Sequence, residues 1–214
     1  SPHPPKKDSS VSPTPAYAAV VSLLLSNPFL VLVILQGIAS FVLERIVQVN
    51  LFQPLLTVRG LGAGAAGLVM AVSTLFEAAG SAWPHVLRRR MRDITAVFVL
   101  TAALAASAAG IAASGATGAV IWLCVFALAT GLVIPIQRQV LNDAIPDARF
   151  RASIMSAESL VDRAACAAVA PLLGTVVAGG TTAAFLYVSA GVTLGTVVML
   201  MGAARWLPTR QDHT

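Results

Sequence analysis

Apolar residues along this chain come in long unbroken runs separated by short polar or glycine-rich stretches. Six of the runs are long enough to cross a bilayer, at about 29–49, 63–86, 94–113, 119–136, 152–177 and 182–203. A crossing needs about 20 residues at about 1.5 Å each. The fifth run is the most polar, because Glu158, Asp162 and Arg163 fall in its first half. No run shows period-2 alternation, and each is about twice the length of a barrel strand, so a β-barrel is excluded. The want of charged residues flanking an apolar seam likewise excludes a coiled coil. The pattern predicts an all-α membrane protein, with a six-transmembrane-helix bundle over 28–206.

The flanks read differently. Residues 1–14 (SPHPPKKDSSVSPT) have the composition of a disordered linker. Residues 15–27 are apolar but too short to span, which suits a short amphipathic helix lying at the membrane surface. Residues 207–214 form a tail. Lys6 and Lys7 are followed by a polar run rather than an apolar one, so no signal peptide is visible. A chain opening on Ser1 in such a linker reads as part of a longer protein.

Composition agrees with the pattern: 57% of residues are hydrophobic and only 11% charged. Soluble domains carry about 25% charged residues, so the outside of this bundle must face lipid. The net charge of +5 does not point to nucleic acid, because the basic residues are spread between the apolar runs. Counted loop by loop, Lys and Arg alternate between rich and poor. Lys6 and Lys7, then Arg88, Arg89, Arg90 and Arg92, then Arg138, Arg149 and Arg151, then Arg205 and Arg210 fall on one side, and Arg59 alone on the other. The positive-inside rule predicts that the rich side, with both termini, is cytoplasmic. Trp83, Trp206 and Trp122 fall near predicted span ends, as interfacial aromatics do. Gly191 and Gly195 form a GxxxG on span six, suited to close packing within the bundle or to homodimerisation.

Little here resembles catalytic chemistry. Cys124 and Cys166 lie singly in apolar runs, and His3, His85 and His213 lie outside the span centres. No metal or cofactor set is expected, nor any enzyme activity. A rhomboid-type membrane protease would need a His in a span to serve a Ser nucleophile.

The informative polar residues lie within the spans, where ionisable groups face a partner or a wet cavity. Gln36, Ser40, Glu44 and Gln48 recur every four residues on span one, in a slowly drifting row suited to the wall of an aqueous pathway. Arg45 points about 100° away from that row. The other reading puts Glu44 and Arg45 near the outer end, reaching interfacial water. Glu44 is also a candidate proton carrier. Span two carries Ser73, Thr74 and Glu77; together with Glu158, Asp162 and Arg163, Glu77 predicts either a gating ion-pair cluster or a static network. Gln137 and Arg138 are expected to be interfacial, because Pro135 marks an end or a kink of span four, and Pro171 predicts a kink in span five.

Three stretches carry a resemblance to a known family. The linker, short helix and Asn27-Pro28 before span one form the first. Gly80-Ser81 followed by Arg88-Arg89-Arg90-Met91-Arg92 forms the second, and Ile145–Gly174 the third. Together they resemble the C-terminal six-helix half of a major facilitator superfamily (MFS) transporter of bacterial type. The family's basic-loop Asp has no counterpart, since Pro84 and His85 occupy that neighbourhood. The resemblance implies half of an MFS-type fold in the cytoplasmic membrane. Spans one and four would then line a cavity, and spans two and five would flank an N-terminal six-helix half. It further implies alternating access for a small-molecule substrate, with proton-coupled efflux as the expectation. A permease subunit docking an ATPase through the 138–151 loop, a homodimerising six-helix protein and an inactive fragment stand as alternatives.

Overall fold

The computed structural model describes residues 22–24 and 26–206. The linker, most of the expected surface helix, the tail, Lys6, Lys7, Arg210, His3 and His213 lie outside the described residues, as does the side chain of Trp206. Among the described residues the chain is helical without strands, and six helical segments are long and apolar enough to span a membrane. The chain is a multi-pass membrane protein.

Helix α1 (Pro28–Glu44) starts on Asn27, whose side chain accepts a hydrogen bond from the Leu30 amide. It passes directly into a π-helical segment, Arg45–Asn50, and then into α2 (Phe52–Val58). Sequence reading ends this span at Val49, yet the helical path continues through Val58 with its register altered at the junction. Pro54 explains the alteration. Its nitrogen has no proton for the Asn50 carbonyl, and its ring would clash with that carbonyl in a continuous α-helix. The wider turn, closed by Leu51 donating to the Ile46 carbonyl at 2.8 Å, places Pro54 in a new first turn instead.

Helix α3 (Ala63–Ala82) is followed across Trp83 by the short α4 (Pro84–Arg88), then α5 (Asp93–Ala113) and α6 (Ala116–Ala144). A 3₁₀ turn, Ala148–Phe150, leads into α7 (Arg151–Ala178), and α8 (Thr182–Trp206) closes the bundle. Gly60 and Gly180 adopt φ of 83° and 67° after α2 and α7. Each lets the chain reverse while the next amide reaches back to a carbonyl five residues earlier: Leu61 to Leu56 and Thr181 to Val176.

Packing is uneven. Helix α5 lies between α6 and α8, α1 leans on α8, α6 and α7, and α3 rests chiefly on α6. The core runs through Leu30, Leu43, Leu104, Leu123, Phe126 and Ile136, all at most 1% exposed. At the α3–α6 crossing, a Cβ on Gly80 would clash with the Leu128 carbonyl, and one on Gly131 with the Glu77 carbonyl. Two glycines therefore let the backbones meet directly, the usual device where lipid removes the hydrophobic drive for helix association. Gly191 and Gly195 of α8 behave otherwise. A Cβ on either would meet nothing within 4 Å, so this GxxxG packs no helix of the bundle.

Arg59, the single basic residue between α2 and α3, clasps the end of α5. Its guanidinium donates to the carbonyls of Leu55, Ile111 and Ser114 at 2.9, 2.6 and 3.0 Å. A cation among the unpaired carbonyls of a helix C-terminus is favourable. Partial burial lowers its pKa from the ordinary arginine value.

Candidate functional site

A cavity of about 210 Å³ opens between α1, α3, α6 and α7, with Leu104 of α5 at its side. Each wall supplies polar groups. Ser40 and Glu44 come from α1, Arg45 from the π-helical segment, Glu77 from α3, Thr130, Gln137 and Arg138 from α6, and Glu158 and Asp162 from α7. Phe41, Leu104, Val133 and Ile134 supply the apolar lining.

Depth follows from contacts between helices. Gln48 Nε2 donates to Thr130 Oγ1 at 3.4 Å, and Thr130 stands midway along the 29 residues of α6. Glu44 lies one turn earlier on α1. The cavity thus runs from Thr130, at the middle of α6, to Arg138, six residues short of its end. Glu44 and Arg45 lie within a helical path that continues to Val58.

The row on span one divides. Ser40 and Glu44 face the cavity, whereas Gln36 does not line it. Gln36 is fully buried and donates from Nε2 to Ser40 Oγ and to Thr101 Oγ1 of α5, both at 2.9 Å. Each step of four residues rotates about 40° around an α-helix. Across the row that drift turns Gln36 toward α5 while Gln48, partly buried, reaches α6. Gln36 therefore ties α1 to α5 through Thr101.

Glu77, Glu158 and Asp162 meet in the cavity, but Arg163 is exposed and forms no ion pair within 4 Å among the described residues. The cation that closes onto this group is Arg138, whose Nη1 lies 3.2 Å from Glu158 Oε2. Gln137 is buried and donates to the Val33 carbonyl of α1 at 3.1 Å. A Cβ on Gly37 would clash with the Gln137 amide, so that glycine admits the Gln137 side chain. Gln137 and Arg138 thus both line the cavity. Pro135 lies inside α6 without ending it, and the helix runs on to Ala144. The lesson is that Pro can be absorbed in a bundle whose neighbours satisfy the freed carbonyl.

Asp162 is the least satisfied of the cavity's charged groups. It is 3% exposed, and its Oδ1 accepts no hydrogen bond. Arg45 is exposed, with its guanidinium 5.0 Å from the centre of the Phe41 ring, and among the described residues it makes no ion pair within 4 Å. Ser73 and Thr74 bond back within their own helix, both donating to the Met70 carbonyl at 2.9 Å. Of the basic loop, Arg88 forks onto Asp93 with two bonds of 2.9 Å, and Arg89, Arg90 and Arg92 are exposed. Asp93 raises the Arg88 pKa by that pairing. Among the described residues no three His, Cys, Asp or Glu side chains come together as a metal site.

These features define a class: a multi-pass helical membrane protein with a charged cavity between its helices. The chain matches no known family, no curated protein and no solved structure.

Proposed function

We propose that this chain is one six-helix half of a secondary transporter of the major facilitator type, moving a small solute across the cytoplasmic membrane by alternating access. The observation that carries the reading is the charged cavity, walled by four helices of which two, α3 and α7, are scarcely covered by the rest of the bundle. Only 11% of the most apolar window of each is buried, against 50% for α1, α5 and α6. A transporter half needs both features: a half-site at the membrane midplane, and flanking helices free to meet and rock against a second half. On this reading the arginine-rich loops and both termini lie in the cytoplasm. The second half is an N-terminal six-helix unit, and Glu44 is the candidate proton carrier of the cycle.

Sided accessibility tests the proposal. With Cys124 and Cys166 replaced by Ala, a cysteine at Ile134 is placed in the cavity wall. Right-side-out and inside-out vesicles from cells expressing the protein are then treated with a membrane-impermeant maleimide. Alternating access predicts labelling from either face while the vesicles stay tight to the reagent. Labelling from one face only, or from neither, contradicts it. A second reading, a homodimer through α8, is favoured by the open space beside Gly191 and Gly195. It predicts disulfide capture of two copies through a cysteine at Val192.

A further inference from the structure

The cavity's charges do not balance. Four carboxylates line it (Glu44, Glu77, Glu158 and Asp162) against two guanidinium groups, Arg45 and Arg138. Arg138 is engaged with Glu158 at 3.2 Å. That leaves three carboxylates facing a single uncommitted cation, Arg45, which rests on Phe41. Arg163, the nearest further cation along α7, is exposed and absent from the lining. The deficit falls hardest on Asp162, nearly fully buried with an oxygen that accepts no hydrogen bond. A buried carboxylate without a partner is among the costliest groups a fold can hold, more so at membrane depth. The missing partner must be positive or a hydrogen-bond donor, and it must fit between Asp162 and the apolar surfaces of Leu104, Val133 and Ile134.

We infer that the cavity binds a small organic cation, a primary amine carried on an apolar body. The ammonium sits at Asp162, with Glu44 and Glu77 adding field, and the body lies on Leu104, Val133 and Ile134. A bare metal ion fits less well, since no three of these carboxylates converge and much of the wall is apolar. Arg45 then has a definite part. It is a tethered cation on the cavity wall, competing with the solute for the same negative field, and its removal strengthens amine binding. This inference rests on the transporter reading only for the use made of the site, not for the site itself.

Calorimetric titration of the protein in lipid nanodiscs tests it with three one-ring probes of similar shape and different charge: benzylammonium, benzyl alcohol and benzoate. Benzylammonium is expected to bind at least about ten-fold more tightly than benzyl alcohol, and benzoate not at all. Asp162→Asn should bring benzylammonium down to the level of the alcohol. Arg45→Gln should tighten it by about ten-fold, an opposite-sign change that misfolding cannot imitate. Equal affinity for amine and alcohol, binding of none of the three, or an Arg45→Gln variant no tighter than the parent would each overturn the inference. Amine binding with labelling of the Ile134 cysteine from one face removes the transporter reading alone. Two-faced labelling without amine preference removes the cation site alone.

Discussion

Helices α5 and α6 bury 50% of their most apolar windows inside the bundle, whereas α3 and α7 bury 11%. The covered pair is also the more apolar, with mean hydropathies of 2.1 and 2.5 against 1.4 and 1.6. In water that ordering would be ordinary. In lipid it calls for another cause, because the tails solvate an apolar helix as well as a neighbouring helix does. Two causes are visible. The covered helices interlock through shape: Trp122 of α6 lies against Gly110 of α5, where a Cβ would strike its ring. The uncovered helices carry three of the four cavity carboxylates, Glu77, Glu158 and Asp162, and they leave their remaining surface free. Helix α3 touches α6 at a glycine crossing, and α7 leans mainly on α1. Coverage thus separates a rigid support, α5 with α6 and α8, from two helices that hold charge at the cavity and have room to move.

The contrast can be broken most sharply by truncating large side chains on each side of it. Phe126→Ala, at a fully buried position of α6, should cost about 3–5 kcal/mol in reversible unfolding in mixed micelles. In this chain without a second half, Leu75→Ala on α3 and Leu160→Ala on α7, each 69% exposed, should each cost less than about 0.5 kcal/mol. Equal costs would mean that the support is not rigid.

Next in size is the glycine crossing. Gly131→Val pushes against the Glu77 carbonyl and should destabilise by about 1–3 kcal/mol. It should also lengthen spin-label distances between α3 and α6 while leaving those between α5 and α6 unchanged. A uniform change across both pairs would argue against a local role for this glycine.

The Arg138–Glu158 pair ties α7 to α6. Arg138→Gln strands the buried Glu158 carboxylate and is expected to cost about 1–2 kcal/mol, discounted because the Arg138 side chain is 40% exposed. Adding Glu158→Gln should recover most of that loss. A double variant as unstable as the single one would show that the pair is not coupled.

The smallest effect concerns the covered side. Arg59→Ala removes two bonds to carbonyls at the end of α5 and one to the Leu55 carbonyl of α2 and should cost about 1 kcal/mol. Hydrogen exchange of the amides near Ser114 should then quicken before that of α6.

Much of this bundle was legible in its sequence, since length and hydropathy alone bound a membrane helix. Six apolar runs gave six helices, because a run of about 20 apolar residues has few other stable forms. What pattern could not carry was the path past a proline. Sequence reading ends the first span at Val49 and the fourth at Ile136, yet the helical paths run on past Pro54 to Val58 and past Pro135 to Ala144. Where the helices end decides which polar residues can share one cavity. The four-residue row found Ser40 and Glu44, yet helical drift took Gln36 to Thr101. Partner choice was invisible as well. Arg163 adjoins Asp162 in sequence, but the guanidinium that reaches Glu158 is Arg138, twenty residues earlier.

The central claim is that α3 and α7 present their bare faces to a second half rather than to lipid. Spin labels at Leu75, Leu160 and, on α8, Val192 test it in the native membrane through collisional access to oxygen, which concentrates in the bilayer interior. The account predicts low oxygen access at Leu75 and Leu160 and lipid-level access at Val192. Lipid-level access at all three positions would contradict it.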